Sequence, residues 1–488
     1  MTRSGPAFAA LIDHLETRMR ALRIPGVAVG VLHGDEEYFA GLGVTSLDNP
    51  LPVTPDTIFQ CGSISKTILG TALMTLVAEG TLDLDAPVRR WLPQFSLRDA
   101  DAAERVTLRH LLTHTGGWLG DHFNDFGFGA DAIARIVADV AALPQWTPLG
   151  STWSYNNVGF AVAALVMQEA TGRAFEDIVR ARVFDPLGMA RSTFWPTEVM
   201  TRRFAVGHNV VGGAVQVAAP WEIGRANHPA GGVNTTVRDL LRYARMHITP
   251  AASGVLSKRA ALAMRHDHGP STGRWSMGLT WWMSRLNAAP NAPLDPQGEL
   301  ILQHGGATNG FTAQLRIVPG RRFAIVHLTN SDDGSTLYDE ISSRALRDML
   351  GLSFDAVTPV KMTAAQLRKY EGEYTAHLDA QILRVRDGKL YAQARYLGRF
   401  PTPDAPVHGD PFGTEVELAF YDAAGERVFA ASDPVLGARG EFLRDDRGRL
   451  AWLRWGGRVH ALPIQSPPNG HPRSAVSHAP GARLRGSC

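Results

Sequence analysis

Apolar positions recur at helical spacing in some segments of the chain and form short alternating or continuous runs in others. Spacings of three and four residues predict helices, and alternation or short apolar runs predict strands. In the first 80 residues the predicted elements are a helix over about 7–22, strands over 26–33 and 37–42, and a helix over 65–79. The last helix carries six apolar residues at this spacing, so we expect it to be buried.

The middle of the chain is predicted to be mainly helical, and strands return after it. The predicted elements are helices over 108–114, 130–142, 158–171 and 236–247, strands over 314–318 and 323–329, and a helix over 335–350. Because strands lie near both ends of this part, we predict one mixed sheet assembled from distant segments, with a helical lobe inserted between them.

The pattern changes after residue 352. Short alternating stretches at 381–385, 390–394, 416–420 and 450–454 are separated by hairpin signals such as Asp387-Gly388. We therefore predict a first domain over 1–352, a linker over 353–364 and a small all-β domain, a barrel, over 365–465. Residues 466–488 are rich in Pro, Ser, Gly and Arg and are predicted to be disordered.

Composition narrows the functional class. The 488 residues are 44% hydrophobic and 20% charged with a net charge of +2. Without a dense Lys/Arg run we expect no nucleic-acid partner, and without about 20 consecutive apolar residues we expect no membrane span. The N-terminus lacks the apolar core of a signal peptide, so a cytoplasmic location is expected. His266 and His268 form too weak a pattern for a metal site, and we expect neither metal nor cofactor.

Lysine usage points to chemistry at one position. Lys66 is one of five lysines among 49 basic residues and the only lysine before residue 258. Arg stays protonated in proteins, whereas Lys loses its proton when its surroundings lower its pKa. Ser63 lies three residues earlier, so on a helix the two side chains share a face. This pattern indicates a serine nucleophile activated by a base; the alternative is a capping serine followed by a solvated lysine.

Tyr155 and Asn157 form a second candidate, just before the predicted helix at 158–171. A tyrosine beside a protonated lysine would have a lowered pKa and would accept the serine proton. The Asn157 amide would bind a substrate carbonyl and hold Lys66. Alternatively, the tyrosine is a core aromatic residue and the asparagine a helix cap.

A third candidate is the segment His304-Gly305-Gly306-Ala307. Adjacent glycines allow a backbone to come close to a ligand and to point N–H groups at it. That arrangement suits half of an oxyanion hole; an ordinary tight turn is the alternative. His114 is expected to be a turn residue, while Trp281 and Trp282 either line a cleft or pack in the core.

These three elements, in this order, resemble the serine β-lactamase and penicillin-binding-protein superfamily. The closer resemblance is to the class C β-lactamase-like branch, with its D-aminopeptidases, D-alanyl-D-alanine carboxypeptidases and family-VIII-type esterases. Further similar stretches are Leu108–Gly117, Phe184–Met189, Pro229–Thr236 and His304–Phe311. The resemblance implies an α+β fold, with an antiparallel sheet flanked by helices plus a helical lobe. The trailing domain is similar to the lipocalin-like domains of some members.

The resemblance also implies roles for individual residues. Ser63 would be acylated, Lys66 would maintain the electrostatics and share proton transfer, and Tyr155 would act as the general base. Asn157 would position substrate and Lys66, and the backbone N–H groups of Ser63 and Ala307 would form the oxyanion hole. The substrate would be a small molecule or short peptide attacked through a covalent acyl-enzyme.

One departure bears on the substrate. The third motif of β-lactamases and carboxypeptidases is typically Lys-Thr-Gly, whereas this chain has His304-Gly305-Gly306. A largely neutral histidine does not supply a permanent cation for a substrate carboxylate. We therefore expect an esterase or aminopeptidase-like activity rather than efficient β-lactam cleavage.

Three alternatives stay open at this point. One is a β-lactamase or D-alanyl-D-alanine carboxypeptidase, and another is a non-catalytic penicillin-binding sensor or scaffold. The third gives the main function to the β domain as a ligand-binding module. The oligomeric state does not follow from the sequence.

Overall fold

An antiparallel sheet forms the centre of the first 350 residues in the computed structural model, which describes residues 4–268, 275–286, 298–354, 356–398, 411–422, 426–435 and 437–462. The strands of this part are β1 (Gly26–His33), β2 (Glu36–Gly43), β3 (Phe59–Gln60), β4 (His208–Val211), β5 (Ala214–Val217), β6 (Asn234–Thr235), β7 (Ser276–Met277), β8 (Trp282–Leu286), β9 (Glu299–Thr308), β10 (Phe311–Val318) and β11 (Phe323–Thr329). The sheet order is β2-β1-β11-β10-β9-β8-β7. Each of these pairs is antiparallel, so the prediction of a mixed sheet is wrong and the sheet implied by the resemblance is confirmed.

Helices cover both faces of this sheet and form the lobe between β3 and β7. In chain order they are α1 (Ser4–Leu22), α2 (Ile64–Ala78), α3 (Ala100–Arg105), α4 (Leu108–Leu112), α5 (Ala132–Asp139), α6 (Val158–Thr171), α7 (Phe175–Val179), α8 (Asp185–Leu187), α9 (Pro196–Val199), α10 (His228–Gly231), α11 (Val237–Ile248), α12 (Pro250–Ser253), α13 (Lys258–Met264), α14 (Tyr338–Leu350) and α15 (Ala364–Leu367). No helix in the described ranges is both long enough and apolar enough to cross a membrane.

Strand β1 shows why the sheet needs two helical layers. Val27, Val29 and Val31 belong to one core cluster, shared with α1 and α14. Ala28 and Leu32 belong to a second cluster, shared with α2 and α11. Because successive strand side chains point to opposite faces, a strand buried on both faces is apolar throughout rather than alternating. This accounts for the continuous apolar run that predicted the strand.

Helix α2 crosses the second core cluster. Its residues from Ile64 to Leu76 are all buried, and even Lys66 has 0% exposure. The predicted burial of this helix is confirmed. Since the helix is buried around its whole circumference, its position is fixed by packing on every side.

Strand β9 departs from the sequence prediction. The glycine-containing segment at 303–307 was expected before the strand pair, with a tight turn as the alternative, yet it lies inside β9 and pairs with β10. Glycine weakens a strand pattern, so the apolar signal is broken here. A Cβ atom on Gly306 would overlap the carbonyl oxygen of Cys61. The glycine is therefore required where β9 passes against the start of α2.

A closed β-barrel follows. Its strands are β12 (Gly372–Thr375), β13 (Asp379–Arg386), β14 (Lys389–Tyr396), β15 (Val416–Phe420), β16 (Arg427–Ala430), β17 (Arg439–Arg444), β18 (Leu450–Trp455) and β19 (Arg458–Ala461). Each strand pairs with the next, and Thr375 opposite Ala461 closes the ring. Tyr374, Phe420 and Phe442 fill the interior. The predicted small barrel is confirmed; the predicted tail over 466–488 lies outside the described residues.

Candidate active site

Ser63 lies at the N-terminal end of α2, at the edge of a large cleft. Its side chain is partly exposed, whereas its neighbours in the chain are buried. The cleft has a volume of about 1070 Å³. Its lining brings together seven of the sequence-predicted site residues, namely Ser63, Tyr155, Asn157, His304, Gly305, Gly306 and Ala307. Three segments more than 90 residues apart in the chain thus meet around one hydroxyl group.

Lys66 lies beneath this hydroxyl. Its Nζ donates to Ser63 Oγ at 3.0 Å and to the Ala230 carbonyl at 2.6 Å. Burial lowers the pKa of Lys66 well below its ordinary value of 10.5, and the Arg458 cation lowers it further while Asp121 opposes the shift. Desolvation disfavours the charged form of an amine. The arrangement therefore favours a neutral amine beside the serine.

Tyr155 is held by rings on several sides. His114 stacks on it with the centroids 4.5 Å apart and the planes at 27°, and Trp282 lies 6.2 Å away. Lys66 Nζ lies 5.0 Å from the centre of the Tyr155 ring. The phenol is thus confined between the lysine and the cleft.

The pKa of Tyr155 differs from the sequence-based expectation. Burial raises its pKa, although a hydrogen bond with the Ser63 side chain and the nearby Arg458 cation oppose the rise. The expected lowering by a Lys66 cation is wrong because desolvation penalises the charged forms of both groups. A neutral phenol facing a neutral amine is the favoured state.

Asn157 binds a carboxylate. Its Nδ2 donates to Asp121 Oδ1 at 2.8 Å, and both residues are almost fully buried. The alternative that the Asn157 side chain caps α6 is wrong, because the capping hydrogen bond is accepted by Asn156 Oδ1, from Gly159 N–H at 2.7 Å. Since Asn156 takes the capping role, the Asn157 amide stays at the cleft wall.

His304 is buried in β9, with 2% exposure. Its Nδ1–H donates to the Gly305 carbonyl at 2.6 Å. Burial lowers the pKa of His304 to about 3, with a smaller contribution from Lys66 when that amine is protonated. The imidazole is therefore neutral at pH 7. Ala307, two residues beyond Gly305, is exposed at the end of the strand, where it faces the start of α2.

The sequence did not predict some of the neighbouring residues, and it predicted the role of others only in part. Asp121 and Arg458 form an ion pair, with Arg458 Nε 2.5 Å from Asp121 Oδ2. No local pattern indicates this pair, because 337 residues separate its members. His114 is a turn residue as predicted, with φ of 59°, but it also supports Tyr155. Of the two tryptophans left open, Trp282 lines the cleft and Trp281 lies in the core.

Known proteins resemble this chain over much of its length. It is 32% identical to penicillin-binding protein 4 of Amycolatopsis lactamdurans over 354 residues, which cover 70% of this chain and 92% of the relative. It is 32% identical to esterase EstB of Burkholderia gladioli over 343 residues, which cover 62% of this chain and 85% of the relative. These two relatives carry the names of a penicillin-binding protein and of an esterase, and further relatives are named β-lactamases.

The fold has a solved counterpart that includes the barrel. The crystal structure of SurE superposes with a TM-score of 0.71 at 23% identity, covering 94% of this chain and 99% of that one. At this identity the likeness concerns the fold. The model of the family described as Beta-lactamase matches residues 11–346. This match covers well over half of the chain. The chain therefore belongs to the Beta-lactamase family, which includes hydrolases and penicillin-binding proteins.

Proposed function

We propose that this chain is a serine hydrolase that cleaves ester or amide bonds through a covalent acyl-enzyme. The observation that carries the proposal is the Ser63 hydroxyl, which faces the cleft while its oxygen lies 3.0 Å from the buried Lys66 amine. A serine hydroxyl needs an adjacent base to become a nucleophile, and a desolvated lysine supplies one.

In the proposed first step, Ser63 Oγ attacks the substrate carbonyl carbon and its proton passes to the neutral Lys66 amine. Tyr155, which shares a hydrogen bond with Ser63, relays the proton between serine, lysine and leaving group. The carbonyl oxygen becomes an oxyanion beside the N–H groups of Ser63 and Ala307. Its collapse expels the protonated leaving group and leaves an ester on Ser63, which water then hydrolyses.

The charges of the cleft support a substrate without a carboxylate beside the scissile bond. Among the described lining residues, the charged side chains are Arg458 and Asp339. Each is already paired, Arg458 with Asp121 and Asp339 with Arg316. With His304 neutral, a substrate carboxylate finds no unpaired cation there. Esters, amides and N-terminal D-residues fit this cleft better than β-lactams.

A substrate panel tests the choice of substrate. We expect turnover of short-chain p-nitrophenyl esters or of D-aminoacyl p-nitroanilides, with kcat/KM for nitrocefin at least about tenfold lower. High kcat/KM on cephalosporins together with inert esters and anilides would overturn the substrate assignment and favour a β-lactamase.

The mechanism is tested separately with a fluorophosphonate probe and mass spectrometry. The full chain should gain the adduct mass on Ser63, and Ser63→Ala should gain none. A Ser63 adduct with penicillin that persists for hours, with no turnover of any panel substrate, would point instead to a penicillin-binding sensor.

A further inference from the structure

The β18–β19 hairpin of the barrel reaches the segment that carries Tyr155. Its two-residue turn, Gly456-Gly457, has φ of 56° and 80°, which is typical of a tight hairpin turn with both central residues left-handed. The Gly457 carbonyl accepts a hydrogen bond from Tyr155 N–H at 2.9 Å. Val459 N–H donates to Ser154 Oγ at 3.1 Å. The backbone around Tyr155 is therefore held by the other domain.

Arg458, the first residue after this turn, continues the connection to Asn157. Its Nε lies 2.5 Å from Asp121 Oδ2 and its Nη2 lies 3.1 Å from Asp121 Oδ1. Asp121 Oδ1 also accepts from Asn157 Nδ2 at 2.8 Å. The guanidinium lies 5.3 Å from the centre of the Tyr155 ring. One side chain of the barrel thus contacts both the phenol and the carboxylate that holds the amide.

We propose that Arg458 is a positioning residue of the active site, which fixes Asn157 through Asp121 and so makes the barrel a working part of the hydrolase. This inference rests on the proposed function. A buried carboxylate without a cation is costly, because charge is poorly solvated inside a protein. Arg458 compensates the Asp121 charge, and Asp121 can then orient the Asn157 amide toward the cleft.

The same pair sets the charge around Lys66. The titratable and charged groups that face Lys66 are Tyr155, His114, His304, Asp121 and Arg458. The Arg458 cation disfavours protonation of Lys66, and the Asp121 carboxylate favours it. Removing one member of the pair therefore changes the protonation of Lys66 in a direction that depends on which member is removed.

The experiment measures kcat/KM against pH for the full chain and its variants. Arg458→Gln removes the cation and leaves the carboxylate, so the acid limb should move to higher pH, with kcat/KM about 10- to 100-fold lower. Asp121→Asn removes the carboxylate and leaves the cation, so the limb should move to lower pH. Arg458→Lys restores the charge without the two-pronged contact; its limb should lie near that of the parent chain, with an intermediate rate.

Arg454→Gln is the matched control. Arg454 lies on the same hairpin and crosses the same interface, donating to Thr152 Oγ1 at 2.6 Å and to the Trp153 carbonyl at 3.1 Å. It has no described contact with Asp121. A weaker interface alone would lower the thermal stability of both arginine variants, yet only Arg458→Gln should shift the acid limb.

The outcomes separate this inference from the proposed function. Shifts in the same direction for Arg458→Gln and Asp121→Asn, unchanged limbs in both, or an equal shift in Arg454→Gln would overturn the positioning role. Should Arg458→Gln fail to fold, the direction of the Asp121→Asn shift decides. A parent chain that neither turns over panel substrates nor labels at Ser63 contradicts the proposed function instead.

Discussion

Lys66 combines complete burial with a place directly beside a hydroxyl that faces the cleft. The Nζ of Lys66 donates hydrogen bonds to Ser63 Oγ and to the Ala230 carbonyl. Among the described residues, no carboxylate lies in direct contact with this Nζ. A buried ammonium group without an ion-pair partner is strongly disfavoured. The neutral form is what the proposed chemistry requires, so burial and catalysis favour the same protonation state.

Replacing Lys66 with Arg tests the need for a removable proton. Arg keeps a positive charge and does not give up its proton, so we expect kcat/KM to fall about 10³-fold. Stopped-flow or plate assays with the best panel ester measure the loss. Lys389→Arg is the control, since Lys389 forms an exposed pair with Glu417 and does not line the cleft. Near-normal turnover in Lys66→Arg would disprove proton transfer at this residue.

The pH dependence of kcat/KM follows from the neutral state of Lys66. Lys66 must be neutral to accept a proton, so kcat/KM falls as the pH drops through its lowered pKa and levels off above it. His304 is neutral near pH 7, because its pKa is about 3. We therefore expect the acid limb to remain in place in His304→Gln, whatever its rate. A limb that disappears in this variant would assign the titration to the histidine.

The sequence predicts single residues well where the chemistry is local. Ser63 and Lys66 are one helical turn apart, so their meeting follows from spacing alone. The roles of Asp121 and Arg458 do not follow, because they depend on how two domains pack together. The pKa of Tyr155 was misjudged for a related reason: a sequence does not give the degree of desolvation.

At the scale of elements, the close contact between β9 and the start of α2 can be tested at Gly306. Gly306→Ala places a methyl group against the Cys61 carbonyl, which must push the strand away from the helix. We expect a loss of about 2 kcal/mol in the free energy of unfolding, together with most of the turnover. Chemical denaturation and ester assays measure the two effects.

Gly305→Ala is the control for this change. Its added Cβ would lie 3.3 Å from the edge of the Tyr338 ring, a contact that needs a shift of only a few tenths of an ångström. The stability of this variant should stay within about 1 kcal/mol of the parent chain. Equal losses in both variants would contradict the close-approach argument.

A buried cluster of charged and polar side chains supports the short helix α10, whose Ala230 carbonyl accepts a hydrogen bond from Lys66. Glu176 accepts from Arg225 Nη2 at 2.9 Å and from His228 Nδ1 at 2.9 Å. Although burial opposes ionisation, the hydrogen bonds from His228 and Arg225 lower the pKa of Glu176 to about 2. Its contribution to stability is therefore complete above about pH 4.5 and is lost as the pH falls toward 2.

Glu176→Gln should accordingly lower the free energy of unfolding by about 3 kcal/mol at pH 7, because it leaves the buried Arg225 cation without a carboxylate. Glu198→Gln, which breaks a half-exposed pair with Arg180, should cost less than about 1 kcal/mol. Urea denaturation at pH 7 compares the two variants. A similar small loss in both would show that the buried cluster contributes little.

Elements were predicted best where the apolar signal is uninterrupted. The predicted strands at 26–33 and 323–329 and the helix at 158–171 agree with β1, β11 and α6. Strands β8 and β9 were missed, since β8 is short and glycines interrupt β9. Helix α14 begins at Tyr338 rather than near 335, because a 3₁₀ turn over Asp332–Leu337 precedes it.

For the whole molecule, the barrel contributes walls and contacts to the cleft. Leu378, Tyr396 and Gly456 line it beside Ser63. A chain ending at residue 354 should therefore lose at least about tenfold in kcat/KM, since Asp121 loses its cation and Tyr155 its backbone partner. Near-ultraviolet circular dichroism checks that the shortened chain is folded.

Removing only residues 463–488 provides the control for this truncation. The described contacts of the barrel with the cleft all precede residue 463, so this variant should retain the turnover of the full chain. Full activity in a folded chain ending at residue 354 would reject a catalytic contribution from the barrel and leave it as a separate module.

The pairing of β1 with β11 has a consequence for synthesis of the chain. Val27 lies opposite Thr329, so the β1–β2 hairpin gains its neighbouring strand β11 only after about 300 further residues have been synthesised. At about 5–20 residues per second, a ribosome needs roughly 15–60 s to deliver it. During that interval β1 lacks its partner strand β11, and the face of β1 that packs against α14 lacks that helix, which follows β11 in the chain. Such distant pairing folds slowly. We expect the nascent chain to be the stage most prone to aggregation, so slower growth or added chaperones should raise the folded yield more than stabilising the finished protein.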